Sequence, residues 1–266
     1  MNVSVITACK NREEALKISL MSWLNFKEIK EIVIVDWSSD NSIDYLTNFD
    51  ERIKVIRVND KKYFNQPQPL NLAAALTNGE LILKLDCDHI INPYRNFFED
   101  YPLDNKCFYT GLNHNEDPTI RYIWGALFVT RENFVKISGY NENHREYYGG
   151  EDYNIVVRLI HLLDLERRNF DSDYSLIHLP HNDKLRFENF EKGEVTEEII
   201  QESKKLAREY HSDSDIFKDW DKIKNYYIAQ YHVTKSENPK IKYTSPTQWD
   251  LKEISKQHFE AIEINN

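Results

Sequence analysis

The sequence predicts an α/β protein whose mostly parallel central sheet is flanked by helices and followed by a helical C-terminal extension. Three observations carry that expectation. Over the first hundred residues, apolar strand-like runs alternate with amphipathic helix-like stretches. The runs are continuously apolar rather than alternating, as in strands buried on both faces. Beyond Asp183 the composition shifts to charged helix-like segments. In such a sheet ligands bind outside the carboxyl ends of the strands, so polar residues just after each run become the leading site candidates.

The elements follow in order. VSVIT, from Val3, reads as a strand, and the stretch from Glu13 to Trp23 as an amphipathic helix. EIVIVDW is a second strand, followed by a helix opened by the cluster Ser39-Asp40-Asn41-Ser42. Ile53 to Val58 is a third. A loop holding Pro67 and Pro69 then leads to a helix through Leu70, Ala73, Ala74 and Leu76, and the strand LILKL ends at Asp86-Cys87-Asp88. From about residue 105 the pieces shorten to CFYTGL and IWGALFV, then a helix from Arg131 to Ile137, a turn at Gly139 and a helix from Glu151 through Ile155, Val156 and Leu159. Charged helices over 196–210 and 216–231 and a final amphipathic segment complete the chain. The expected organisation is a catalytic domain over 1–183 and a helical extension over 184–266. The run Tyr226 to Tyr231 reads first as a packed helix face, with an acceptor groove or a dimer face as alternatives.

Composition narrows the function. The chain has 266 residues, 41% hydrophobic and 13% aromatic, enough apolar surface for a folded core. A net charge of −10 without a basic block argues against nucleic acid and against broad attraction to anionic lipid. The cysteines, Cys9, Cys87 and Cys107, have no metal-type spacing and read as reduced thiols. With no basic leader and no apolar stretch near 18 residues, the expectation is a cytoplasmic protein. Neither G-x-G-x-x-G nor G-x-x-x-x-G-K occurs, which excludes glycine-rich phosphate loops.

Three clusters carry chemistry. Asp86-Cys87-Asp88 is a D-x-D at a strand end, where two carboxylates can face a divalent metal that neutralises a diphosphate; a turn with capping carboxylates is the plain alternative. Tyr147-Tyr148-Gly149-Gly150-Glu151-Asp152 sets two glycines and two acids at a helix start beside aromatic rings. An ordinary N-cap explains one acid, but not a Gly-Gly hinge flanked by aromatics, and a carboxylate held there can act as general base toward a hydroxyl. His178-Leu179-Pro180-His181 offers two imidazoles, which together with carboxylates suit manganese better than magnesium. No G-x-S-x-G elbow or nucleophilic triad is evident.

VSVITACKNR, EIVIVDWSSDNS, the strand-end DCD and GYNENHREYYGGEDYNIVVRL, in this order, resemble a GT-A glycosyltransferase of the family 2 type. Three segments are closer to the β1,4-galactosyltransferase family and the related chondroitin polymerase type. YFNQPQPLN resembles F-N-R-x-x-x-L-N, YYGGEDYN resembles W-G-G-E-D-D-D, and HLPHNDK resembles the metal-binding M-x-x-H segment. The resemblance covers roughly residues 3–183.

The resemblance implies a GT-A fold and a role for each matching position. Asp88 ligates the metal, with Asp86 nearer the ribose; His181 is a metal ligand, and His178 stands where the galactosyltransferases place methionine. Asp152 is the catalytic base and Glu151 orients the acceptor, with Gly150 and Tyr148 beside it, Tyr148 replacing a stacking tryptophan. Ala8, Lys10 and Arg12 on the first loop hold uracil and phosphate, Asp36 meets the nucleoside, Asn65 and Gln66 lie on the donor side, and Gly125 belongs to the segment that closes over the donor. Gln66 replaces a phosphate-contacting arginine, so that charge must come from the metal or a base such as Lys62. Asp36-Trp37-Ser38-Ser39 has one acid where most family 2 proteins have two.

The expected function is therefore inverting, metal-dependent transfer of a hexose from a UDP-sugar to a hydroxyl of a glycan, in surface polysaccharide synthesis. Galactose or N-acetylgalactosamine leads, with glucose and N-acetylglucosamine behind. The expected cofactor is a divalent metal, manganese ahead of magnesium. A lipid-linked glycan acceptor, peripheral association with the inner membrane face and a homo-oligomer through the extension complete the expected partners. A catalytically silent nucleotide- or glycan-binding module on the same fold is the alternative, and a nucleotidyltransferase is disfavoured by the glycine-free first loop.

Overall fold

A computed structural model of the chain describes residues 1–111, 123–142, 150–170, 175–179 and 181. Strands β1 (Val3–Cys9), β2 (Ile29–Trp37), β3 (Ile53–Val58) and β4 (Leu81–Lys84) run parallel. They are joined by β6 (Cys107–Thr110), β7 (Leu127–Thr130) and β8 (Glu166–Asn169) in a seven-stranded sheet of order β3-β2-β1-β4-β7-β6-β8. β7 is antiparallel to both β4 and β6, and β8 pairs parallel with β6. The apolar runs are continuous because both faces are covered: along β2, Ile32 and Ile34 enter one core cluster while Val33 and Val35 enter the other. β8, written Glu-Arg-Arg-Asn, carries charge on a sheet edge, a composition that discourages further strand pairing.

Helix α1 (Glu13–Trp23) begins with Glu13 and Glu14 at its positive end and buries Leu16, Leu20 and Trp23, the i, i+4, i+7 spacing of a single face. The helix α2 (Pro67–Ala75) starts with proline, whose fixed φ suits the first turn, and packs Leu70, Leu72, Ala73 and Ala74 on the opposite side of the sheet. A short helix α3 (Phe97–Asp100) sets Phe97 and Phe98 into the α1-side core. On the α2 side lie α4 (Arg131–Lys136), capped by Thr130 Oγ1 accepting from the Asn133 N–H, and α5 (Glu151–Leu163).

Two expected elements differ. The helix after the Ser39 to Ser42 cluster is a 3₁₀ turn over Asp44–Asn48, because Ile43 and Leu46 supply apolar anchors for only one turn. Within IWGALFV, Ile123–Gly125 is also a 3₁₀ turn and only Leu127–Thr130 is strand; Ala126 N–H donates to the Ile123 carbonyl and closes the turn. A two-stranded ribbon unannounced by the sequence pairs β5 (His89–Ile91) antiparallel with β9 (Leu176–His178). α1 holds this ribbon: Trp23 Nε1 donates to the His89 carbonyl, and the Ile91 N–H donates to Ser22 Oγ. Among the described residues no helix is long and apolar enough to cross a membrane. The extension over 184–266 lies outside the described residues.

Candidate active site

The site lies at the carboxyl end of β4, as the fold class requires. Immediately past that strand Asp86-Cys87-Asp88 turns into β5, and the β5–β9 ribbon sets His178 directly opposite His89. Leu179 N–H donates to the Asp88 carbonyl at 2.7 Å, which fixes the path toward His181. As a result Asp88 Oδ2 lies 3.8 Å from His178 Nε2 and 3.2 Å from His181 Nε2. The three side chains offer ligand atoms within 4.8 Å of one another, one carboxylate and two imidazoles. That donor set fits a divalent transition-type cation better than magnesium, which takes oxygen ligands. Asp88 is held well below the usual carboxylate range. Burial opposes this, but His181, Arg12 and His178 outweigh it.

A second group, Asp86, Asp88 and His89, is also close enough to suggest a metal. Its hydrogen bonding argues for another role. The Asp86 backbone N–H donates to His89 Nδ1 at 3.2 Å, so in this ring form the proton sits on Nε2 and faces Asp86 Oδ2 at 3.7 Å and Asp88 Oδ1 at 4.0 Å. A ring nitrogen carrying a proton cannot ligate; His89 spaces the two carboxylates instead.

The acid pair approaches from the other side. Gly150 adopts φ 92°, a left-handed conformation that suits glycine, and starts α5 so that Glu151 and Asp152 fall in its first turn. Arg158, one to two turns on, is buried and donates to the Ile137 and Gly139 carbonyls and to Asn154 Oδ1, bolting this helix to the preceding turn. Asn71 grips the Tyr140 backbone through both its N–H and its carbonyl, and the Tyr140 hydroxyl reaches Asp152 Oδ1 at 3.5 Å.

Between the two halves stands Lys84, whose side chain is wholly buried. Its Nζ lies 2.9 Å from Asp86 Oδ1 and 3.3 Å from Asp152 Oδ1, and donates to the Gly125 carbonyl at 2.7 Å. Burial disfavours its charge, yet Asp152 and Asp86 more than offset that and hold the ammonium well above its ordinary range. Gln66, with its amide turned to satisfy both neighbours, accepts from Lys84 at 2.8 Å and donates to Glu151 Oε1 at 3.2 Å. Burial and the adjacent Asp152 push Glu151 up to about 8. Asp152 is raised by burial and by Asp86, with Lys84 pulling the other way. A Cβ on Gly125 would meet Asp86 Oδ2 at 2.7 Å, Lys84 Nζ at 2.9 Å and Asp152 Oδ2 at 3.0 Å, so glycine leaves the space in which these groups converge.

The structure thus brings together Asp86, Asp88, His178, His181, Gln66, Gly125, Gly150, Glu151 and Asp152. Other residues expected at the donor make the following contacts within the fold. Lys10 is buried and donates to the carbonyls of Trp37, Ser38 and Lys61, stitching the loops after β1, β2 and β3. Asp36 is fully buried; its oxygens take Arg57 at 2.5 Å and the Ser39 N–H at 2.9 Å, which shapes the loop after β2. Arg12 Nη1 sits 2.6 Å from Asp88 Oδ2, on the metal-type cluster. The Ala8 carbonyl accepts from Cys87 Sγ at 3.1 Å, and Asn65 Oδ1 accepts the Gln68 N–H at the start of α2, fixing Gln66 beside it. Lys62 stacks on Tyr63; the charge next to Gln66 is Lys84. Tyr148 lies outside the described residues. Lys84, His89, Tyr140 and Arg158 were not among the residues expected from sequence, although a lysine inside the apolar run LILKL was a visible signal for the first.

A parallel half-sheet with a strand-end D-x-D, extended by antiparallel strands and closed by an acid pair at a helix start, defines the GT-A glycosyltransferase class. A family model described as glycosyl transferase family 2 matches residues 4–100, and one described as the N-terminal domain of galactosyltransferase matches residues 112–182. The two matches make the chain family 2-like in its first part and galactosyltransferase-like in its second, on a GT-A fold. Among curated proteins none matches in sequence. The fold is similar to that of the Drosophila β1,4-galactosyltransferase 7 catalytic domain in complex with xylobiose (TM-score 0.52, 16% identity, 83% of each chain covered). It is also similar to the Pyrobaculum calidifontis mannosyltransferase PcManGT in complex with GDP-Man and Mn2+ (0.54, 15%, covering 70% of this chain and 60% of that one). S. aureus TarS 1-349 in complex with UDP-GlcNAc is a third similar structure (0.54, 17%, covering 86% and 72%).

Proposed function

We propose that this glycosyltransferase moves a hexose from a UDP-sugar to a hydroxyl of a glycan acceptor with inversion at the anomeric carbon, using residues 1–183 as its catalytic domain. The observation that carries the reading is the convergence on Lys84 and Gly125 of a donor-side D-x-D and an acceptor-side acid pair. Asp88, His178 and His181 would hold a divalent cation, manganese in preference to magnesium by their chemistry. When bound, that cation supplies positive charge for the donor diphosphate. Support for a nucleotide-sugar comes from the similar structures with GDP-Man and with UDP-GlcNAc, and for a sugar acceptor from the one with xylobiose. Galactose and N-acetylgalactosamine remain the leading sugars, on the galactosyltransferase match. Three free buried cysteines suit a cytoplasmic setting.

The chain's own residues divide the work. Asp152, part exposed at the helix start, takes the proton of the acceptor hydroxyl as its oxygen bonds to the anomeric carbon. The bond from that carbon to the diphosphate breaks on the opposite side, and its electron pair leaves with UDP. Glu151, largely protonated near neutral pH, can donate a hydrogen bond and orient a sugar hydroxyl.

The test is UDP release from UDP-galactose, UDP-N-acetylgalactosamine, UDP-glucose and UDP-N-acetylglucosamine, with manganese and with excess chelator. Metal-dependent release from at least one donor, lost in Asp88→Asn, is expected. Full activity in chelator would remove Asp88, His178 and His181 from their proposed roles, and a product that keeps the donor's anomeric configuration would overturn inversion.

A further inference from the structure

We infer that Lys84 is a positioning residue for this reaction: its buried ammonium, in contact with Asp152, Asp86 and the Gly125 carbonyl, supports the charged form of the base and locks the donor side to the acceptor side. The inference rests on the proposed transfer reaction and adds to it a residue outside the metal cluster and the acid pair.

The backbone dictates where Lys84 points. On β4, Leu83 enters the α1-side core and Ile82 the α2-side core, so Lys84 emerges with Ile82 toward α2 and α5. It pairs with Ile6 of β1 and Leu127 of β7, an interior position where an apolar side chain would be ordinary. A lysine there is costly unless each proton finds a partner. It finds Asp86, Asp152, the Gly125 carbonyl and Gln66.

Charge counting gives the consequence. Asp86, Glu151 and Asp152 crowd one ammonium. One cation balances part of this charge, and Glu151, the carboxyl hydrogen-bonded to Gln66, retains its proton to about 8. The groups facing Asp152 are Lys84 from β4, Asp86 and His89 beyond it, Tyr140 ahead of α5 and Glu151 in its own helix. Asp86 works against an ionised base and Lys84 works for it. Without Lys84, burial and Asp86 would act on Asp152 without this counterweight and favour its protonated form, which cannot accept the acceptor's proton. The same ammonium touches the Gly125 carbonyl, in the segment expected to close over the donor, and Gln66, where the family's arginine is missing. Donor-side geometry and the state of the base are thereby coupled through one atom.

The experiment compares wild type, Lys84→Met and Lys84→Arg in UDP release as a function of pH, with manganese and whichever of the four UDP-sugars the wild type uses. Circular dichroism checks the fold. In Lys84→Met the acid limb of the profile should move up by about 1–3 pH units, with activity partly recovered at alkaline pH. Lys84→Arg should keep the wild-type limb with a lower kcat. An unshifted limb in Lys84→Met, or the same shift in Lys84→Arg, would overturn the inference. A second readout needs no turnover: the carboxyl carbon of Asp152, assigned by Asp152→Asn in 13C-aspartate spectra, should titrate higher in Lys84→Met than in wild type. Should wild type release UDP from none of the donors, the transfer reading fails, and the spectra still decide the charge relationship: an unchanged Asp152 titration would overturn it.

Discussion

His178 faces His89 across the antiparallel ribbon of β5 and β9, and that register brings the His178 imidazole to within 3.8 Å of Asp88. Residues ninety positions apart thus share one cation-type site, assembled by three-residue strands. His178→Ala should weaken manganese binding about 10–100-fold in an EPR titration, with His181→Ala similar or larger because His181 lies closer, at 3.2 Å. Unchanged affinity in both variants would remove the histidines from the site.

Arg12 offers Asp88 a cation of its own. Its guanidinium, 2.6 Å from Oδ2, competes for an oxygen that a metal would use. Arg12→Gln should therefore tighten manganese binding to the nucleotide-free protein by about 3- to 10-fold, a difference of ~1 kcal/mol for a part-exposed pair. Weaker binding in this variant would show that Arg12 assists the metal.

The Gly125 backbone approaches the reaction centre closely. Adding a methyl group forces it against Asp86 Oδ2, Lys84 Nζ and Asp152 Oδ2, all at 3.0 Å or less. Gly125→Ala should fold and yet lose about 10²-fold or more in kcat, since small misplacements at a reacting centre are costly. Wild-type kcat would mean that these groups shift without consequence.

Glu151 gives a pH signature of stability. Its folded value of about 8 lies above the ordinary 4.5, so the folded state binds the proton more tightly than the unfolded chain. The contribution of this group to stability therefore falls as pH rises from about 4.5 to about 8 and is level beyond. Glu151→Gln removes that decline and should unfold later than wild type at pH 8, by on the order of a few kcal/mol, while transfer falls. Parallel unfolding curves across the range would contradict the burial assigned to this carboxyl.

The parallel half of the sheet was legible because its strands are apolar on both faces, and the D-x-D because it follows one of them. The acid pair was legible from two adjacent glycines ahead of a helix pattern. Lys10 just past β1 and Asp36 at the end of β2 lie in the same kind of place, and nothing local announces the contacts they make within the fold. Their tasks depend on pairing: Asp36 lies beside Arg57 in the β2–β3 register, and Lys10 reaches carbonyls of two other loops. The β5–β9 ribbon is too short for a periodic signal, so the placement of His178 could be argued only from the family resemblance. Lys84 looks like an interruption in an apolar run until Asp86, Asp152 and Gly125 are seen around it.

The most direct test of the account is single-turnover transfer by Asp152→Asn, with donor binding measured in parallel. Removing a general base of this kind should lower the chemical step by about 10²–10⁴ while leaving UDP-sugar affinity within a few-fold of wild type. A near-wild-type rate in Asp152→Asn would contradict the assignment of the base, and with it the placing of acceptor chemistry at the start of α5.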